Sequence, residues 1–273
     1  MSKTSISVRL LRALDEFRRC EQIQENVWGA AGASAELLQV TQKNGGLVLG
    51  SFAGPRLVGF LYAFLGRRRG RLIHWSHLMA VEAAFRDCGL GFRMKVEHRR
   101  HALARGIRVI AWTFDPLQSR NAALNLGRLG ARVDEFLPDC YGHFPSAIER
   151  GLASDRFVVE WPIATRRVQR RLAGEGLPSF PASAAIVNET RLDSRGLPAN
   201  RRLRLNLSTP RLLVEIPKDT DLMRALDLKL AARWRAETRR VFQHYLRAGY
   251  RVRDFVPPSA AGGDRAFYLL SRT

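Results

Sequence analysis

Leu78-Met-Ala-Val-Glu-Ala-Ala-Phe-Arg86-Asp-Cys-Gly89-Leu-Gly91-Phe-Arg-Met-Lys95 is the stretch on which the fold turns. An apolar run ends at Val81 and leads into an Arg-x-x-Gly-x-Gly turn over Arg86 to Gly91. From Gly89 to Arg105 the residues Leu90, Met94, Ala102 and Leu103 fall near one side of a helix, and Gly106 supplies its stop. Unpaired N–H groups at a helix start, with the positive end of the helix dipole behind them, attract an anion, and glycines let a pyrophosphate approach the backbone closely. The pattern is neither the dinucleotide Gly-x-Gly-x-x-Gly nor a Walker loop, since no Gly-Lys-Ser/Thr follows. It is phosphate chemistry that calls for no metal.

Working upstream, Leu10, Leu14, Phe17, Cys20, Ile23 and Val27 keep helical spacing from Arg9 to Trp28, with Gly29 as the stop. Gly46 to Phe52 and Leu57 to Leu65 read as an antiparallel hairpin turning at Gly54-Pro55, and Arg71 to Val81 as the next strand. Downstream, Ile107 to Phe114 is a strand. Asp115 is then expected to cap a helix that has Pro116 at its first position and ends at Leu129-Gly130. Strands are expected at Arg132 to Leu137 and Arg156 to Trp161. Residues 164–209, rich in Arg, Pro, Ser and Asn, read as an irregular connection with at most short structure.

Order resumes at Pro210. Arg211 to Ile216 is a strand, Leu222, Leu226, Leu230, Trp234, Val241 and Tyr245 stripe a helix from Thr220 to Ala248, and strands follow at Tyr250 to Val256 and Ala266 to Leu270. Strand, helix, strand, strand is also the order of residues 108–161. The run from Gly130 to Pro138 echoes the run from Gly249 to Pro257, which reads either as a degenerate half-repeat of 108–161 in the C-terminal segment 210–273 or as convergence, since helix-Gly-strand junctions recruit the same residue types. The fold class is therefore α/β, a mixed and mostly antiparallel sheet flanked by helices, with a C-terminal strand-helix-hairpin extension.

The net charge of +20 over 273 residues is carried almost wholly by arginine, since lysine occurs only at Lys3, Lys43, Lys95, Lys218 and Lys229. That asymmetry reads as coding bias plus an anionic cofactor ahead of a nucleic-acid-binding protein, which stays as a third reading. No basic-aromatic motif of an RNA or DNA module accompanies it. Cys20, Cys88 and Cys140 are too few and too scattered for a disulfide framework or a zinc quartet, which points to a reducing, cytoplasmic setting. The first residues, Met-Ser-Lys-Thr-Ser-Ile-Ser, lack an apolar signal region, and Pro55-Arg56 interrupts the apolar stretch from Gly45 to Gly66, so no membrane insertion is expected.

Ala80-Val81 with Phe85-Arg86, the hairpin before them and the strand and helix ending at Leu129-Gly130 resemble the GNAT acyltransferase superfamily over residues 8–161. Ser76-His77-Leu-Met-Ala-Val81, Trp112 to Leu117, Asn121-Ala122, Tyr141-Gly142, Ser154-Asp-Arg156 and Glu160-Trp161 resemble a subgroup of predicted GNAT enzymes with an extended C-terminal region. Val214 to Pro217, Trp234-Arg235 and Gly249-Tyr250 fit that subgroup too. The resemblance implies a GNAT-like acyl-CoA-binding core over 1–163, the connection 164–209 and the extension 210–273. It also implies acyl-coenzyme A as co-substrate and a small amine or amino acid as acceptor, with acetyl or succinyl as the acyl group. The oligomeric state stays open, a homodimer included.

By the same resemblance, Met79, Ala80 and Val81 would line the pantetheine arm, with backbone groups offered by Met79 and Val81. Arg86 and the N–H groups of Asp87, Cys88, Gly89, Leu90 and Gly91 would hold the pyrophosphate, and Asn121 would touch the arm. Asp87 stands where the family commonly has glycine. Leu126 stands where the family has the tyrosine that protonates the departing thiolate, which leaves Tyr141 as the candidate acid and His77, on the splayed strand, as the candidate base. Arg156 could clamp a carboxylate and Asp115 could reach the acceptor, each with a structural alternative as an ion pair or a helix cap. The missing tyrosine also admits a non-catalytic acyl-CoA-binding protein.

Overall fold

The computed structural model describes residues 6–30, 32–142, 152–261 and 263–272, so residues 1–5 of the N-terminal reading lie outside it. The fold class expected from the sequence is the one observed. The chain separates into two compact units that do not break at residue 163. The first holds residues up to Trp112 with 162–164; the second holds Thr113 onward, apart from those three and a stretch outside the described residues.

The first unit begins with β1 (Ile6–Leu10), α1 (Leu14–Trp28), α2 (Ala35–Lys43), β2 (Leu47–Ala53), β3 (Arg56–Arg68) and β4 (Arg71–Val81). A single 3-10 turn at Ala83–Phe85 leads to α3 (Leu90–Ala104) and β5 (Val109–Phe114), which runs across the boundary. The helix expected from Arg9 therefore starts later. Ile6–Leu10 is instead a strand, because its backbone pairs antiparallel with β2 from Ile6 opposite Ala53 to Leu10 opposite Leu49. The hairpin turns at Gly54-Pro55, where Ala53 faces Arg56 and Gly54 takes φ +59°. Strand order is β1-β2-β3-β4-β5, antiparallel except for β4 beside β5. On one face Phe17, Cys20 and Ile23 of α1 and Leu38 of α2 pack on Val48, Phe52, Phe60 and Tyr62; on the other Met94 of α3 packs on Leu47, Leu49, Leu61 and Ala63.

The second unit continues with α4 (Ser119–Ala122), which widens into a π turn over Ala123–Arg128, then β6 (Arg132–Leu137) and β7 (Arg156–Pro162). Its helix starts after Gln118 and not after Asp115, whose carboxylate is engaged elsewhere. The connection carries short elements only: α5 (Arg166–Leu172), β8 (Ala185–Ile186), β9 (Asn188–Leu192) and β10 (Pro198–Leu203). Then come β11 (Arg211–Ile216), α6 (Thr220–Leu226), α7 (Leu228–Arg247), β12 (Tyr250–Val256), α8 (Pro258–Ala261) and β13 (Ala266–Arg272). The long helix expected over Thr220 to Ala248 is thus two helices. Asp227 breaks it with extended backbone and caps α7 by accepting the Leu230 N–H at 2.8 Å.

Aromatic packing explains why the end of β5 goes with the C-terminal segment. Phe114 and Phe136 meet Phe157, which packs on Phe242 at 4.7 Å and on Tyr268 at 5.4 Å between ring centroids. In this unit the end of β5 lies in the order β5-β7-β6, and the C-terminal sheet has β11-β13-β12, the same succession, with β8 added parallel to β11. Both hairpins shift register at matching places, between Val133 and Glu135 and between Val252 and Asp254, equally far past Gly130 and Gly249.

Candidate active site

Two strands part at the centre of the first unit. β4 and β5 pair in parallel at His74 with Ile110 and Trp75 with Ala111, and the described pairing goes no further. On its other side β4 stays bonded to β3 up to Val81 opposite Gly59, with one extra residue, His77, bulged between Ser76 and Leu78. Because the Glu82 N–H donates to the Val58 carbonyl at 2.9 Å, antiparallel alternation turns the backbone groups of Ala80 and Leu78 toward β3 and those of Met79 and Val81 away from it. Of the three residues expected along the pantetheine arm, then, Met79 and Val81 face the open edge, whereas the backbone of Ala80 is taken up by β3.

That edge runs into the turn. Arg86 is exposed and its Nε donates to the Val81 carbonyl at 3.2 Å. Asp87 takes φ +62°, the left-handed conformation that glycine adopts freely and aspartate tolerates. Exposed Cys88 follows. Gly89, at φ +74°, is the N-cap of α3, with no side-chain cap and no acidic residue in the first turn. Nothing lies within 4 Å of where a Cβ on Gly89 would sit. The start of α3 runs from Gly89, an N-cap with no side chain, to buried Leu90 and then Gly91.

His77 is exposed, with its ring against Tyr62 at 5.9 Å and Phe64 at 5.8 Å between centroids. Desolvation by that packing lowers its pKa, so the imidazole is neutral and able to accept a proton at neutral pH.

Two groups that sequence reasoning passed over lie on the opposite face. Lys95 of α3 is only 2% exposed; its Nζ donates to Ser76 Oγ at 3.0 Å and stands 3.6 Å from the centre of the Trp112 ring. Among the described residues no carboxylate pairs with it, and burial pulls its pKa down to about 7. Next along the helix, His98 is fully buried against His74. The Gly45 carbonyl, which can only accept, takes the His74 Nε2 proton at 3.2 Å; His74 Nδ1 then accepts from His98 Nε2 at 3.0 Å. His98 Nδ1 is left bare and without a partner. Burial lowers both imidazole pKa values, that of His74 to about 4, in keeping with two neutral rings. The readable signal was the stripe Leu90, Met94, His98, Ala102, which puts a histidine and an adjoining lysine on the covered side of α3.

The other expected residues fall in the second unit. Tyr141 is exposed, its hydroxyl 2.9 Å from Thr113 Oγ1 and its ring 5.2 Å from the Arg156 guanidinium carbon. Arg156 is half-buried and donates to the Asp155 carbonyl at 3.1 Å. Asn121 is exposed on α4, and Leu126, at the usual tyrosine position, is fully buried. Asp115 is held as a structural anion: Arg235 grips both its oxygens at 2.6 and 2.5 Å, and the Leu117 N–H donates at 2.8 Å. Burial alone would raise the Asp115 pKa, but Arg235 overrides it and holds the carboxyl below its usual range. Its carboxylate thereby fixes the β5 end to α7. Among the described residues no three His, Cys, Asp or Glu side chains gather as metal ligands, and no helix is long and apolar enough to cross a membrane.

No family model matches the chain, and no curated protein does. Solved structures similar to it include an acetyltransferase of the GNAT family from Streptococcus pneumoniae, 14% identical, covering 57% of this chain and 98% of that one with a TM-score of 0.48. The ribosomal-protein-S18-alanine N-acetyltransferase from Escherichia coli is 15% identical over 59% of this chain and 96% of that one, with a TM-score of 0.47. NAA60 from Arabidopsis thaliana, in complex with acetyl-CoA, is 14% identical over 57% and 99%, with a TM-score of 0.47.

Proposed function

We propose that this chain is a GNAT-type N-acyltransferase that moves an acetyl or succinyl group from coenzyme A to the amine of a small acceptor such as an amino acid. One observation carries the reading: the open β4 edge, with Met79 and Val81 turned outward, leads through a short turn to the start of α3 at Gly89, an N-cap with no side chain. An amide-bearing arm can add to such an edge as a strand does, and a pyrophosphate suits the helix start beside Arg86. The residues present fit the co-substrate, since Gly89 leaves space at the backbone and Cys88 is solvent-exposed.

Coenzyme A brings the activated thioester. The chain has to orient it, take a proton from the acceptor ammonium so that the nitrogen can attack, and return a proton to the leaving sulfur. His77 is our candidate for the first proton step, its lowered pKa leaving the ring unprotonated at pH 7. Tyr141 is our candidate hydroxyl for the second, and Arg156 for holding an acceptor or acyl carboxylate.

The test is release of free thiol from acetyl- and succinyl-coenzyme A across L- and D-amino acids and polyamines, beside a thermal-shift titration with coenzyme A. Release with one acceptor class is expected; no release and no stabilisation would remove the reading. Stabilisation without release would favour a non-catalytic acyl-CoA-binding protein, which the fully buried Leu126 supports. We also infer that residues 211–271 are a second copy of the half-domain 108–161, on the shared strand succession and the matching bulges.

A further inference from the structure

A lysine ammonium is seldom buried without an anion, because desolvation of the charge goes uncompensated. Lys95 is such a case. Its side chain bridges Ser76, the first β4 residue beyond the last pair with β5, and Trp112, the first β5 residue beyond that same pair. The amine thus sits at the vertex where the two strands separate. Beside it stand His98 on α3 and Trp112 on β5; around the imidazole pair of His98 and His74 lie Arg105 and His101, and His101 meets the Glu97 carboxylate at 3.2 Å.

The strand sets a distance. Because His77 bulges, Ser76 to Val81 lies opposite Ala63 to Gly59 and spans about 13 Å at ~3.3 Å per residue, most of the reach of an extended pantetheine arm. An arm whose pyrophosphate lies at Gly89 and whose amides follow Val81 and Met79 therefore ends, at its sulfur, beside Ser76. We propose that Ser76 and Lys95 form a proton relay to the sulfur leaving the thioester, with Ser76 touching the substrate and Lys95 behind it as positioning residue and proton store. This rests on the acyl-transfer reading and makes Ser76, in place of Tyr141, the donor to the sulfur that the buried Leu126 cannot be.

The step balances. As the carbon–sulfur bond breaks, its electron pair stays on sulfur; the Ser76 hydroxyl proton forms the new S–H bond while one Lys95 ammonium proton passes to Ser76 Oγ. Thiol, intact serine and neutral Lys95 amine result. The acceptor ammonium gives up two protons in becoming an amide, and one of them restores Lys95. Transfer to a thiolate whose conjugate acid has a pKa of about 8.5 runs downhill from a lysine that titrates near neutrality.

The test joins a spectroscopic and a kinetic reading on the full chain. With only five lysines, NMR of protein carrying 13C at lysine Cε should show one side chain titrating near pH 7 that vanishes in Lys95→Met. Thiol release at saturating acyl-coenzyme A should fall as pH rises through about 7 in the unsubstituted protein. Lys95→Met, Lys95→Arg and Ser76→Ala should each lose about 100-fold in kcat and lose that limb, whereas Ser76→Thr keeps it. The relay is overturned if no lysine titrates below pH 9, or if Lys95→Met keeps both the rate and the limb while coenzyme A still stabilises the protein. Loss of coenzyme A stabilisation in the unsubstituted protein would instead sink the acyl-transfer reading and the relay with it.

Discussion

Both compact units pair a buried carboxylate with arginine, as Glu82 with Arg19 and Arg56 in the first, but the first also buries an amine that has no carboxylate partner among the described residues. In the second, buried and half-buried carboxylates have arginines: Asp115 has Arg235 at 2.5 Å, Asp155 has Arg239 at 2.6 Å, Asp254 has Arg171 at 2.5 Å and Glu215 has Arg265 at 2.5 Å. In the first, Lys95 is buried with a hydroxyl and an aromatic ring, and the neighbouring His98 keeps a bare nitrogen. Paired charges cross-link elements far apart in sequence, as Asp115 links the end of β5 to α7. An unpaired ammonium weakens the fold, and its place at the strand vertex is better explained by chemistry than by stability.

Breaking a pair should give the largest effect. Arg235→Met leaves Asp115 buried without its cation and should cost about 3–5 kcal/mol, read as a lower urea midpoint. The unpaired side should respond with the opposite sign. Lys95→Met should stabilise the protein by about 1–4 kcal/mol at pH 6, seen as a higher Tm. The pH dependence separates the two further. Lys95 has its pKa lowered from 10.5 to about 7, so between those values the unfolded chain holds more protons and stability rises with pH. The gain from Lys95→Met should therefore shrink toward pH 10. Asp115, whose pKa is lowered, adds stability that is present above about pH 4 and lost as pH falls below it. The smallest effect is expected at His98→Leu, which removes the bare nitrogen but strips His74 of its donor; a change within about 1 kcal/mol in denaturant unfolding would fit.

Local signals were legible in the sequence and distant ones were not. The Gly54-Pro55 turn, the start of α3 at Gly89 and the stop at Gly249 each depend on residues within a few positions. β1 was hidden because Leu10 keeps step with the helical stripe of α1, and only pairing with β2 makes it a strand. The break at Asp227 was masked because Leu222, Leu226 and Leu230 hold helical spacing across it. Asp115 looked like a cap because its partner lies 120 residues away. Lys95 stood in the motif unread, since its burial depends on where β4 and β5 part.

The central claim is that the β4 edge and the start of α3 hold coenzyme A, and Cys88 offers a probe already in place. Of the three cysteines Cys20 is buried, Cys140 is half-buried and Cys88 is exposed within the proposed pyrophosphate turn. The measurement is the rate of Cys88 alkylation with and without coenzyme A, with Cys140 as internal reference. A slower rate at Cys88 alone is the result expected here; equal rates with and without millimolar coenzyme A would contradict the account.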